Sequence, residues 1–188
     1  MKKLNCVVGF LFFVFIFSIG FSQTDFRGVN WGVDALTVKK AEQSKLIQED
    51  ESRLIYNCQL SDIKGKLIYT FTNSGKLMRA KYFLTPDYLN VTFFLRDYRM
   101  FLELLIQKYG QPIVFPGNDS SGYKEGEWAI NLSEGEIRLE TKWSLVKTDV
   151  LLTLSKMKDN YAVQIDYISR DFFDTDLNER KKQIVKDL

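Results

Sequence analysis

Residues 161–167 alternate without a break: Tyr161, Val163, Ile165 and Tyr167 fall on one side of an extended chain, and Ala162, Gln164 and Asp166 on the other. Successive side chains of a β-strand point to opposite faces, so a period of two marks a strand with one buried face. The pattern recurs along the chain. In residues 66–72, Leu67, Tyr69 and Phe71 share a face. The turn Asn73-Ser74-Gly75-Lys76 follows, with Gly75 free to take positive φ, and residues 77–84 return with Met78, Ala80 and Tyr82 on one side. Leu54-Ile55-Tyr56 starts an earlier strand. Later, residues 128–132 read as a strand, Ile137, Leu139 and Trp143 alternate with Arg138, Glu140 and Lys142, and Val150, Leu152 and Leu154 form the next. Lys158-Asp159-Asn160 is the turn before the last strand. Strands joined by short turns, without βαβ alternation, restrict the chain to antiparallel sheet.

Helical sequence separates these stretches. Pro86-Asp87 ends the first and starts helical sequence, in which Phe94, Tyr98, Phe101, Leu105 and Tyr109 recur at three- and four-residue spacing, with Leu102 and Ile106 alongside. Gly110 and Pro112 stop that helix. Asp34 is an N-cap for a short helix through about Gln43 with a thin apolar face of Leu36, Val38 and Ala41. A tail helix starts near Asp171; Phe173, Leu177, Ile184 and Leu188 give it a sparse stripe, and acidic residues lead basic ones along it, which suits the helix dipole. Phe26-Arg27-Gly28-Val29-Asn30-Trp31-Gly32 reads as a strand or tight arm packed on the core. The expected fold is α+β, with antiparallel sheet, two αβββ units suggested by the element order, and a C-terminal helix. The length of 188 residues suits one domain over residues 23–188, with candidate halves at 23–86 and 87–188.

The N-terminus predicts export. Lys2 and Lys3 precede an apolar run over residues 4–21, and cleavage after Ser22 puts the small residues Gly20 and Ser22 where signal peptidase needs them. The other reading is a retained anchor at the short edge of a spanning helix, which would be the chain's one membrane contact. Removing Lys2 and Lys3 from the 26 basic residues leaves 24 against 24 acidic ones, so the mature chain is neutral. With no basic stripe either, nucleic acid is not an expected partner.

The chain has no histidine and, once Cys6 leaves with the leader, one cysteine, Cys58. Ser-His-Asp and Cys-His catalysis are thereby excluded, the usual zinc, copper and haem ligands are missing, and no intramolecular disulfide can form. Cys58 reads as a small buried side chain, with an intermolecular bridge or a nucleophile as the chemical alternative. Calcium needs only oxygens, which Asn118-Asp119-Ser120-Ser121-Gly122, Glu125 and Glu127 could supply, though not at EF-hand spacing. Ser61-Asp62-Ile63-Lys64 and Ser144-Leu145-Val146-Lys147 match S-x-x-K without its companion motifs. Glu125, Glu127, Glu134 and Glu136 surround Trp128, which admits carboxylate chemistry on a sugar but equally describes turns and strand edges. No glycine-rich phosphate loop occurs, and no metal or cofactor is expected. Trp31, Trp128 and Trp143 are either core or an exposed aromatic patch, and in the second case they are the candidate interaction surface.

The ordered set Phe26-Arg27-Gly28-x-x-Trp31-Gly32, Lys76-Leu77, Ala80-x-Tyr82, Tyr109-Gly110-x-Pro112, Trp143, Thr148, Leu152 and Tyr161-x-Val163-x-Ile165-x-Tyr167-x-Ser169 resembles a loosely defined group of small exported bacterial proteins. The resemblance spans nearly the whole mature chain. It implies bacterial export and one α+β domain, and it carries no mechanism. A looser analogy is to envelope proteins built from tandem helix-plus-sheet units that act by binding other proteins. The expected function is a non-enzymatic interaction or structural module of the bacterial envelope, whose partner is an envelope protein or a small ligand. A small-ligand or lipid carrier and a carboxylate-dependent hydrolase are the alternatives.

Overall fold

A computed structural model describes residues 24–115, 124–158 and 160–187. The expected leader with its cleavage site near Ser22, the 118–122 loop considered for calcium, and Asp159 lie outside the described residues. The alternating segments form β2 (Arg53–Leu60), β3 (Ile63–Phe71), β4 (Leu77–Leu84), β5 (Leu139–Ser144), β6 (Thr148–Met157) and β7 (Asn160–Ser169), preceded by a short strand β1 (Leu46–Glu49). All pair antiparallel in one seven-stranded sheet of order β1-β2-β3-β4-β7-β6-β5. The last strand of each half therefore meets the other at β4–β7. The helices are α1 (Ala35–Ala41), α2 (Val91–Tyr109), α3 (Trp128–Glu134, after a 3₁₀ turn at Glu125–Glu127) and α4 (Arg170–Asp187). The fold is α+β, as expected.

Register turns the alternation into a core. Three rows of side chains cross six strands on one face: Leu54–Tyr69–Ala80–Tyr167–Val150–Trp143, then Tyr56–Leu67–Tyr82–Ile165–Leu152–Thr141, then Cys58–Gly65–Leu84–Val163–Leu154–Leu139. Apart from Cys58 and Gly65, every member is buried. Cross-strand neighbours on one face touch, so each row is a run of contacts, broken at Gly65, which has no side chain, and polar at Thr141. Phe94, Tyr98, Phe101, Leu102 and Leu105 of α2, Trp128 and Leu132 of α3, Val38 of α1 and the arm residues Phe26, Val29 and Trp31 close over it. Both halves thus share one core. The opposite face is polar at its centre, where Asp166 pairs with Arg79 at 2.7 Å and Lys81 at 3.4 Å across the β4–β7 seam.

Four local expectations are corrected. Residues 128–132 are helix, not strand: Trp128 and Leu132, four apart, are buried, while Ile130 between them is 62% exposed. Gly135 closes that helix at φ 80, donating to the Leu132 carbonyl at 3.1 Å. The first half has four strands rather than three, because β1 is exposed throughout and carries no buried-face pattern. Met78 does not share its face with Ala80: the β3–β4 register shifts between Thr70 and Phe71, which pairs Phe71 with Leu77 and puts Leu77 in the core instead. Finally, α2 starts at Val91, capped by the Asn90 side chain, which accepts from the Thr92 amide at 2.9 Å.

Candidate functional site: a cleft at the seam of the two halves

The arm folds back through a two-residue turn. Phe26 and Val29 exchange backbone hydrogen bonds at 3.0 and 2.9 Å, and both residues between them have positive φ, 42° at Arg27 and 82° at Gly28. Such a turn matches the twist of the chain segments it joins. Gly28 adopts it freely; a side chain with a Cβ pays roughly 1–2 kcal/mol, and Arg27 bears that cost.

Glu42 compensates. It sits at the C-cap of α1, its side chain 1% exposed, and accepts two bonds from Arg27, Nε to Oε2 at 2.9 Å and Nη2 to Oε1 at 3.0 Å. The Tyr69 hydroxyl donates to Oε2 at 2.7 Å and the Ser44 amide to Oε1 at 2.9 Å. Burial pushes the Glu42 carboxyl up, but the bonds from Arg27, Ser44 and Tyr69 outweigh it and hold the group down at about 2. Arg27 is raised further above its ordinary value, chiefly by the same pair. Burial, and then the bond to Glu42, pushes the Tyr69 hydroxyl up. Arg27 Nη1 donates to the Tyr82 hydroxyl at 3.3 Å.

The arm touches both halves. The Phe26 ring lies 5.7 Å from Tyr69, 5.7 Å from Tyr82 and 4.9 Å from Tyr167. Trp31 Nε1 donates to Thr148 Oγ1 at 2.8 Å, and the Gly32 amide donates to the Leu77 carbonyl at 2.9 Å. Gly32, at φ 81, lies so close to α4 that a Cβ there would stand 2.3 Å from the Phe172 ring.

Beside the arm, where β4 meets β7, opens a cleft of about 650 Å³. Tyr82, Tyr109 and Tyr167 line it together with Thr24, Asp25, Arg27, Lys108 and residues 145–148 of the β5–β6 hairpin. Tyr82 and Tyr167, on adjacent strands, have ring centroids 6.5 Å apart, and Tyr109 at the end of α2 stands 6.5 Å from Tyr167. Burial raises the Tyr167 hydroxyl, and its charge interaction and hydrogen bond with Tyr109 raise it further. Among the described lining residues the charged groups are Arg27, Lys108 and Lys147 against Asp25. Asp25 Oδ2 already accepts from the Trp31 amide at 2.9 Å.

The residues singled out from sequence do not assemble here. Trp31, Trp128 and Trp143 are 9%, 4% and 1% exposed, so they form no surface patch; their rings fill the space between the helices and the sheet. Trp143 Nε1 is satisfied by the Gly110 carbonyl at 2.8 Å. Ser61 occupies the β2–β3 turn at φ 57, and Ser144 donates to Asp149 at 2.7 Å rather than meeting Lys147. Glu125 pairs with Arg99 at 3.0 Å and Glu127 accepts from the Lys124 amide at 3.0 Å, so both serve the 3₁₀ turn and its neighbours. Burial pushes the Cys58 thiol up to about 11, which leaves it protonated at neutral pH. No group of acidic or cysteine side chains able to hold a metal ion occurs among the described residues, and no described helix is long and apolar enough to cross a membrane. The Arg27–Glu42 pair and the three cleft tyrosines were not singled out from sequence as a site, although Arg27-Gly28 is where a side-chain residue shares a tight turn with a glycine. Set against protein-family models, curated proteins and solved structures, the chain matches none.

Proposed function

We propose that the chain is an exported, non-enzymatic interaction module of the bacterial envelope that holds a protein partner at the seam cleft. The observation that carries this reading is the make-up of the cleft. Aromatic hydroxyls and cations ring it, with one carboxylate, Asp25, among the described lining residues. Carboxylate hydrolysis needs two such groups facing each other across a substrate. A carrier needs an enclosed apolar cavity, whereas the covered face of this sheet is filled by its three rows of side chains. Export rests on the cationic, apolar and small-residue pattern of residues 1–22.

The test places a photo-cross-linking amino acid at Val146, 93% exposed on the cleft rim, and at Lys66 on the opposite sheet face, in the native cells. One reproducible envelope-protein adduct from Val146, absent from Lys66, is the expected result. An efficiently recovered protein with no adduct at Val146 overturns the reading. The intact mass of the same material checks export: a chain beginning at Gln23 is expected.

A further inference from the structure

The cleft is unbalanced in hydrogen-bonding character. Two of the three Arg27 guanidinium nitrogens are taken by Glu42, and the third, Nη1, makes only a long 3.3 Å bond to Tyr82. Because the Tyr82 oxygen accepts there, its own O–H remains available to donate. Tyr109 and Tyr167, their rings 6.5 Å apart, bring two further hydroxyls to the cleft. Neither Lys108 nor Lys147 has a carboxylate partner among the described residues; Lys108 Nζ stands 5.0 Å over the Tyr109 ring. Against these donors the lining offers one acid, Asp25, partly spent on Trp31. Donors in excess fit a group that only accepts.

A second observation concerns how Arg27 is held. Glycine or asparagine would suit the turn at position 27, yet an arginine stands there at φ 42, paired with a buried carboxylate. The bidentate pairing fixes the guanidinium plane and leaves its remaining edge beside the cleft. That is how a cation is placed for recognition before its ligand arrives.

Resting on the reading of the cleft as a partner-binding site, we infer that it recognises carboxylate side chains of an acidic polypeptide segment, with Arg27, Lys108 and Lys147 as the cationic contacts and Tyr82 as a neutral donor. The cleft volume of about 650 Å³ accommodates a few residues, and the tyrosine floor and Val146 offer apolar contact between the charges. Nucleic acid is disfavoured because three local cations on a neutral chain make no basic stripe.

The experiment pans a phage-displayed random peptide library against protein recovered from the envelope fraction, and measures a selected synthetic peptide by fluorescence anisotropy. Selection of Asp- and Glu-rich sequences is expected. Their affinity should fall about tenfold or more in K108E/K147E and weaken as salt is raised. Both lysines lie on the cleft rim outside the core, so circular dichroism should show an unchanged fold. Neutral or basic selected sequences, no selected binder, or equal affinity in the double variant overturns the inference. The Val146 adduct separates the two levels. If it persists in K108E/K147E, the partner-binding reading stands and the acidic-segment inference fails; if it is absent from the wild type, the reading itself fails.

Discussion

Glu42 is buried yet charged, and its energetics follow from what surrounds it. The carboxyl ionises at about 2 in the folded protein against an ordinary 4.5, so folding favours the charged form. A depressed acid contributes stability that is complete above its unfolded value and is lost as pH falls through the folded one. Wild-type stability should therefore decline from about pH 4.5 toward pH 2, and the decline should be shallower in Glu42→Gln, as read by urea unfolding across that window. At neutral pH the same substitution should cost about 2–3 kcal/mol, because Arg27, Tyr69 and the Ser44 amide lose their anionic acceptor. None of this was legible in the sequence. Arg27 and Glu42 are 15 residues apart, and nothing in either residue's neighbours marks the other as its partner. Cys58 was legible in part: it lies on the strand read from the sequence and faces the core side, but at the sheet's end it is half-buried rather than buried.

At the scale of elements, what was readable depended on how many residues repeated the signal. The 19-residue α2 carries five face positions and a Gly-x-Pro stop, and it is where the spacing puts it. The seven-residue α3 offers only Trp128, Ile130 and Leu132, which fit a period of two as well as Trp128 and Leu132 alone fit a period of four; length was too short to arbitrate. β1, four exposed residues, has no face to detect. Thr141 is a polar residue on the core face of β5, fully buried, where the Tyr98 hydroxyl of α2 meets its Oγ1 at 2.6 Å. That bond ties α2 to the sheet. Tyr98→Phe should cost about 1–3 kcal/mol by leaving a buried hydroxyl unpaired, and Thr141→Val a similar amount. The double variant should be less destabilised than the sum, since it removes both partners together; chemical denaturation of all four proteins gives the coupling.

For the whole molecule, the α+β class and the antiparallel pairing were legible because alternation and short turns are local properties. The join of β4 to β7 was not, because no local pattern says which strands of two separate meanders become neighbours. That join carries the rows of core side chains across from the first meander into the second, and it makes the seam on which the arm and the cleft depend. The arm's position has a consequence in time. It is among the first described segments to be synthesised, yet Trp31 must wait for Thr148, 117 residues further on, before its indole hydrogen bond can form. Phe26 likewise needs Tyr167. Contacts this distant along the chain carry the largest closure cost and form late. In refolding from urea, single-tryptophan variants should show Trp31 acquiring native fluorescence after Trp143, whose strand pairs with its immediate successor. For a chain crossing a membrane N-terminus first, this ordering is useful. On the export route proposed above, the arm would meet Thr148 and Tyr167 only after those late strands had followed it across, so its docking would be incomplete, and the chain threadable, for most of the passage.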